Sequence, residues 1–152
     1  MTEEFITKNT KKSVKIIPAP FKDAVALKKQ VLKSLKDAGI IKDLNIESLK
    51  NLEVTDVISS ITNLFIEMDM SDSFDNALFS CLKVCIYDNK HSITEQLFDD
   101  IPELQEDYYE IIAKCCEVNL RPFFKSLVSE LSTRLNQIEI DIPELSTPQT
   151  QI

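Results

Sequence analysis

Apolar residues recur at three- and four-residue spacings through most of this chain and alternate with polar ones only towards its two ends. At the N-terminal end, Phe5-Ile6-Thr7 and Ser13-Val14-Lys15-Ile16-Ile17 form two short extended pieces around the polar stretch Lys8–Lys12, a hairpin pattern without glycine. Pro18-Ala19-Pro20 blocks further strand pairing and starts a helix, because a proline in the first turn gives up an N–H that the helix does not use. Ala24, Leu27, Val31, Leu35 and Ala38 then form one stripe, with Lys22, Lys29, Lys33 and Lys36 largely on the opposite face. Gly39 stands where a helix ends in the left-handed region.

Further helices are predicted downstream. A short one spans Ile46–Leu52, and another starts on Thr55 and runs through Ile58, Ile61, Phe65 and Met68. Phe74 to about Tyr87 carries Leu78, Cys81, Leu82 and Cys85 at helical spacing, and Asp88-Asn89-Lys90-His91 breaks it. Ser92-Ile93-Thr94-Glu95 matches a capping box ahead of Leu97 and Phe98. Pro102 opens a long helix to about Leu120, with Leu104, Tyr108, Ile111, Ile112, Cys115 and Val118 along one stripe. Pro122 opens the last helix, aligning Phe124, Leu127, Leu131 and Leu135.

From Gln137 the character changes. Ile138, Ile140 and Ile142 alternate with acids, and a Ser/Thr/Pro/Gln stretch follows. The expected architecture is mainly α: a single helical domain of about five to six helices behind a short N-terminal hairpin-like segment. Its parts are an extended segment 1–19, a helical domain 20–136 and a flexible tail 137–152.

Composition narrows the chemistry. The chain has one glycine, one histidine and no tryptophan in 152 residues. Phosphate loops, dinucleotide turns and calcium loops all require glycine, so none is expected. His91 falls in a turn between helices and reads as a solvated side chain, not a general base. Acid pairs such as Asp99-Asp100 and Glu106-Asp107 read as helix-terminal charges. No enzymatic activity and no cofactor are expected. Cys81 and Cys85 share a helix face, whereas Cys115 and Cys116 point about 100° apart. Without C-x₂-C spacing or turn glycines, they read as buried reduced thiols and not as a metal site.

Net charge is −8, unevenly spread. Residues 1–42 hold ten lysines and four acids, a charge of +6, and the remainder carries −14. Such a molecule can associate head to tail, although lysines that merely solvate one exposed helix face are the plainer account. Nucleic-acid binding is disfavoured, because the basic third lacks arginine, offers only Phe5 and Phe21 as rings, and adjoins an acidic body. No apolar run approaches the roughly 20 residues of a membrane span. The N-terminus carries acid where a signal peptide carries base. A cytoplasmic protein is expected.

Two segments carry a family likeness. Val14-Lys15-Ile16-Ile17-Pro18-Ala19-Pro20-Phe21-Lys22-Asp23-Ala24-Val25-Ala26-Leu27-Lys28 and Val118-Asn119-Leu120-Arg121-Pro122-Phe123-Phe124-Lys125 together resemble tail assembly chaperones of siphophages and prophages of Gram-positive bacteria. The positions that carry the likeness are Pro20, Phe21, Lys22, Asp23, Ala24 and Leu27 in the first segment, and Asn119 and Pro122 in the second. The resemblance implies an assembly factor of the host cytoplasm that is absent from the mature virion. It would bind the long tape measure protein, keep it soluble and help recruit tail tube subunits. It also implies a short form whose longer version arises by programmed ribosomal frameshifting. A holdase needs adaptable apolar side chains on a soluble body, and Phe65, Met68, Met70, Phe123 and Phe124 are the candidates for that surface. Two other readings stay open: a head–tail connector or completion protein retained in the virion, and a small regulator binding a host factor or DNA.

Overall fold

The computed structural model describes residues 1–37, 71–127, 129–130 and 133. The predicted helices at 46–52 and 55–68, the Gly39 terminus and the tail from Gln137 lie outside the described residues, as do Phe65, Met68 and Met70.

The N-terminal hairpin forms as its alternation requires. Strand β1 (Glu3–Ile6) pairs antiparallel with β2 (Ser13–Ile16), in a register that sets Phe5 opposite Val14. Val14 and Ile16 point into the core and are fully buried, while Ser13 and Lys15 face outward. The loop closes without glycine. Lys11 takes the left-handed conformation (φ 60°), and Thr7 accepts from Lys11 N–H and Lys12 N–H through its carbonyl and hydroxyl.

Helix α1 (Phe21–Asp37) follows the two prolines, with Pro20 C=O accepting from the N–H groups of Asp23 and Ala24. Ala24, Leu27, Val31 and Leu32 are buried, and Lys22, Lys29, Lys33 and Lys36 are exposed, as the stripe predicts. Helix α2 (Asp72–Leu82) is capped by the Ser71 hydroxyl, which accepts from Phe74 N–H.

The helix expected to run to Tyr87 ends five residues earlier. Residues 83–92 turn back as a second hairpin, β3 (Ile86–Tyr87) and β4 (His91–Ser92). Its turn places Asp88 and Asn89 at φ 54° and 60°, and Lys90 N–H donates to Tyr87 C=O at 3.1 Å, the geometry of a type I′ turn. Scarce glycine therefore did not exclude a tight hairpin, because Asp and Asn tolerate the left-handed region best after glycine. Strand β3 adds to β2 antiparallel, setting Tyr87 opposite Val14 and Ile86 opposite Lys15. The sheet is four-stranded, in the order β1-β2-β3-β4.

Ser92 does not cap a helix. It sits in β4 and donates its hydroxyl to the Lys83 carbonyl, satisfying the frayed end of α2. The cap of α3 (Glu95–Asp100) is Thr94, whose Oγ1 accepts from Leu97 N–H at 3.2 Å. The long helix expected from Pro102 is also divided: a 3₁₀ segment, Pro102–Asp107, precedes α4 (Tyr108–Leu120). The first hairpin's tip docks at that junction. Asn9 donates to the Glu106 carbonyl at 2.6 Å, Thr10 donates to Asp107, and Lys8 N–H donates to the Glu110 carboxylate at 3.0 Å. The Glu106 carbonyl is thereby taken by a side chain of the first hairpin.

Among the described residues there are four α-helices, not five to six. A 3₁₀ turn, Arg121–Phe123, follows α4, and residues 124–127 are again helical. The mainly α reading with a small N-terminal antiparallel sheet stands. Sheet and helices share one core, in which Val14, Ile16 and Tyr87 join Leu27, Leu78, Leu104, Ile111 and Leu127.

Candidate partner-binding site where the two motif segments meet

Residues 14–28 and 118–125 are about a hundred positions apart in sequence, and the fold joins them. The joint is Asn119, 2% exposed at the end of α4. In Pro18-Ala19-Pro20 only Ala19 has a backbone N–H, and it donates to Asn119 Oδ1 at 2.8 Å. Asn119 Nδ2 in turn donates to the Cys115 carbonyl at 2.8 Å. One amide thus supplies both an acceptor and a donor to backbone groups of two elements. A carboxylate or a hydrocarbon of similar size could not.

That joint brings Phe21 and Phe123 together. Their ring centroids are 6.1 Å apart at 54°, and Lys28 Nζ lies 5.8 Å from the Phe123 ring. Lys28 also donates to Ser126 Oγ at 2.8 Å and pairs with Glu130 at 2.9 Å. Phe21 remains 75% exposed. Pro20, Pro122, Lys22 and Lys125, adjacent in sequence to the two rings or nearly so, are exposed as well, and Phe123 is half-buried. The result is a small aromatic face with Lys28 beside it. Among the described residues, Lys22, Lys29 and Lys125 make no ion pair.

The remaining motif positions are structural. Ala24 and Leu27 are core residues, and Asp23 accepts from the Cys81 thiol through its carbonyl at 3.5 Å. Phe124 is half-buried against the core. Of the five residues expected to meet a partner, Phe123 therefore lies on the apolar face, Phe124 packs inward, and Phe65, Met68 and Met70 lie outside the described residues. Sequence reasoning placed Phe21 among the motif positions and missed it as exposed surface. The available signal was its position about 80° off the centre of the apolar stripe, directly after Pro20.

Behind this face lie the cysteines, all four buried and free. Burial and the nearby Asp23 push the Cys81 thiol up to about 12, and burial does the same to Cys116. Cys85 and Cys115 share a thiol hydrogen bond that pulls Cys85 down while it and burial drive Cys115 well up. Among the described residues, no group of three or more His, Cys, Asp or Glu side chains is placed to hold a metal. His91 is half-buried in β4 opposite Tyr87. Among the described residues, no helix is long and apolar enough to cross a membrane.

A family model described as phage tail assembly chaperone protein, TAC, matches residues 8–132. The chain belongs to that phage tail assembly chaperone family. No curated protein and no solved structure matches it.

Proposed function

We propose that this chain is a nonvirion chaperone of the host cytoplasm that binds the tape measure protein of a siphophage or prophage. It keeps that protein soluble and assists addition of tail tube subunits around it, without catalysing a reaction and without nucleic acid as a ligand. The observation that carries this reading is the family match over residues 8–132, which spans both segments that build the Phe21–Phe123 face. An amphipathic helix of the client fits such a face, its apolar stripe on the rings and its acids against Lys22 and Lys125.

Co-expression with the tape measure protein from the same phage tests it. The wild-type chain is expected to co-purify with the client and hold it in the soluble fraction. Covering one exposed phenylalanine ring contributes about 1.5–3 kcal/mol, so Phe21→Ser is expected to weaken the complex roughly tenfold to a hundredfold. A client that stays equally soluble without the chain overturns the reading. Mass spectrometry of purified virions separates it from a connector or completion protein, which would be found in the particle.

A further inference from the structure

The phase of the hydrogen bonds in the sheet fixes which backbone groups of β1 face outward. Thr7 N–H donates to Lys12 C=O at 2.9 Å, and Asp88 N–H donates to Ser13 C=O at 2.7 Å. With Phe5 opposite Val14 and Lys15 opposite Ile86, these bonds turn the backbone groups of Glu3, Phe5 and Thr7 towards β2. Glu4, Ile6 and Lys8 then direct theirs the other way, over the open edge of the sheet. Lys8 N–H meets the Glu110 carboxylate there at 3.0 and 3.2 Å, so that end of the edge is covered. The N–H and C=O groups of Glu4 and Ile6 have no partner among the described residues, and both residues are exposed, Ile6 by 59%.

Charge along this edge is uneven. On the inner face Glu3 pairs with Arg121 at 3.2 Å and Lys114 at 3.9 Å, and both bases also reach Glu117. Those charges cancel locally. Glu4, on the outer face with Ile6, stands opposite Lys15 without pairing with it and accepts only from the Ser13 hydroxyl, at 3.1 Å. Glu110 likewise makes no ion pair among the described residues. Strand β1 carries neither the proline nor the lysine that commonly blunts a sheet edge.

We propose that the outer edge of β1 is a strand-addition site for an extended segment of another protein, β-branched in its middle and with lysine or arginine at each end. An added strand is the chemistry that matches N–H and C=O groups alternating along one line. Its β-branched side chains pack beside Ile6 and Phe5, and its two bases lie against Glu4 and Glu110. Acidic strands are turned away, because like charges set opposite each other destabilise a strand pair. That applies to this chain's own Ile138-Glu139-Ile140-Asp141-Ile142 and to a second β1 edge. The edge includes neither Phe21 nor Phe123, and strand addition there is independent of what the ring face binds.

Titrating the isotope-labelled full chain with the end-blocked peptide Lys-Val-Val-Val-Lys, at about 0.05 M salt, tests this by nuclear magnetic resonance. Saturable amide shifts are expected, largest at Glu4 and Ile6. The same peptide ended in glutamate is expected to bind roughly tenfold more weakly, and one N-methylated on its three valines not to bind. Ile6→Pro removes an outward N–H that β2 does not use, so it is expected to keep the wild-type circular dichroism and lose the peptide. Should it fail to fold, Glu4→Lys replaces it, and the preference is expected to shift towards the glutamate-ended peptide. No saturable shift at Glu4 and Ile6 overturns the proposal. So does equal binding of the N-methylated or the glutamate-ended peptide, or a folded Ile6→Pro chain that binds like the wild type. A peptide of residues 137–142 that binds as tightly as the basic one would assign the edge to the chain's own tail, and overturns it too.

Discussion

Asn119 shows how much one side chain can decide. The proline pair that starts α1 leaves a single backbone donor, Ala19 N–H, and the amide accepts it while holding the Cys115 carbonyl with its other end. Removing a partner from a buried hydrogen bond costs about 1–3 kcal/mol. Asn119→Ala is therefore expected to lower stability by about 2 kcal/mol, seen as an earlier urea midpoint at unchanged slope. Asn119→Asp keeps the acceptor for Ala19 but sets a carboxylate oxygen against a carbonyl, so it should not rescue. A variant with the wild-type midpoint would show that the joint is held by packing alone. In the sequence Asn119 stood out only as a motif position. Nothing nearby indicates that its partner lies a hundred residues away.

At the scale of elements, periodicity identified the buried faces of the described helices and missed the turns that shorten and divide them. The stripe of α1 and the inward strand residues Val14 and Ile16 follow directly from spacing, because each pattern puts its apolar residues on one face. The second hairpin was hidden because β3 and β4 have two residues each, too short to show alternation. Its Cys85 also continues the i,i+4 spacing of α2. The readable signal was Asp88-Asn89, a pair suited to two consecutive positive φ values. Asn89 carries a Cβ in a conformation that glycine enters at no steric cost. Asn89→Gly is accordingly expected to stabilise the protein by a few tenths to about 1 kcal/mol, measurable as a rise in thermal midpoint. A lower midpoint would mean that the asparagine side chain contributes more than its backbone strain costs. The break before α4 has a tertiary origin as well, since Asn9 and Thr10 of the first hairpin engage Glu106 and Asp107.

For the whole molecule, the central event is β2 pairing with β3, which ties the N-terminal hairpin to a segment seventy residues on and closes the core over Tyr87. The same folding brings Asp72 and Asp75 of α2 and Glu95 of α3 within electrostatic reach of one another, and among the described residues none of them makes an ion pair. Burial and those like charges raise the Asp75 pKa above its ordinary 3.8. The folded state then holds a proton that the unfolded state has released, so this group's contribution to stability falls as pH rises through the window from 3.8 upward. Asp75→Asn removes that loss. Its stability relative to wild type is expected to improve between about pH 4 and pH 7, read from denaturation midpoints across that range. A difference that does not change with pH would show that Asp75 does not sense its neighbours.

The sequence by itself determined the class of local structure, the core stripes, the concentration of lysine in the first third and the two motif segments. Each of these depends on residue type and short spacing, which a linear chain displays. Only the tertiary structure decided that the two segments form one face and that Phe21 stays uncovered beside Phe123. Those features depend on which distant backbone groups and side chains meet in space. Hydrophobic burial drives that meeting, and particular hydrogen bonds, such as those of Asn119, fix its geometry.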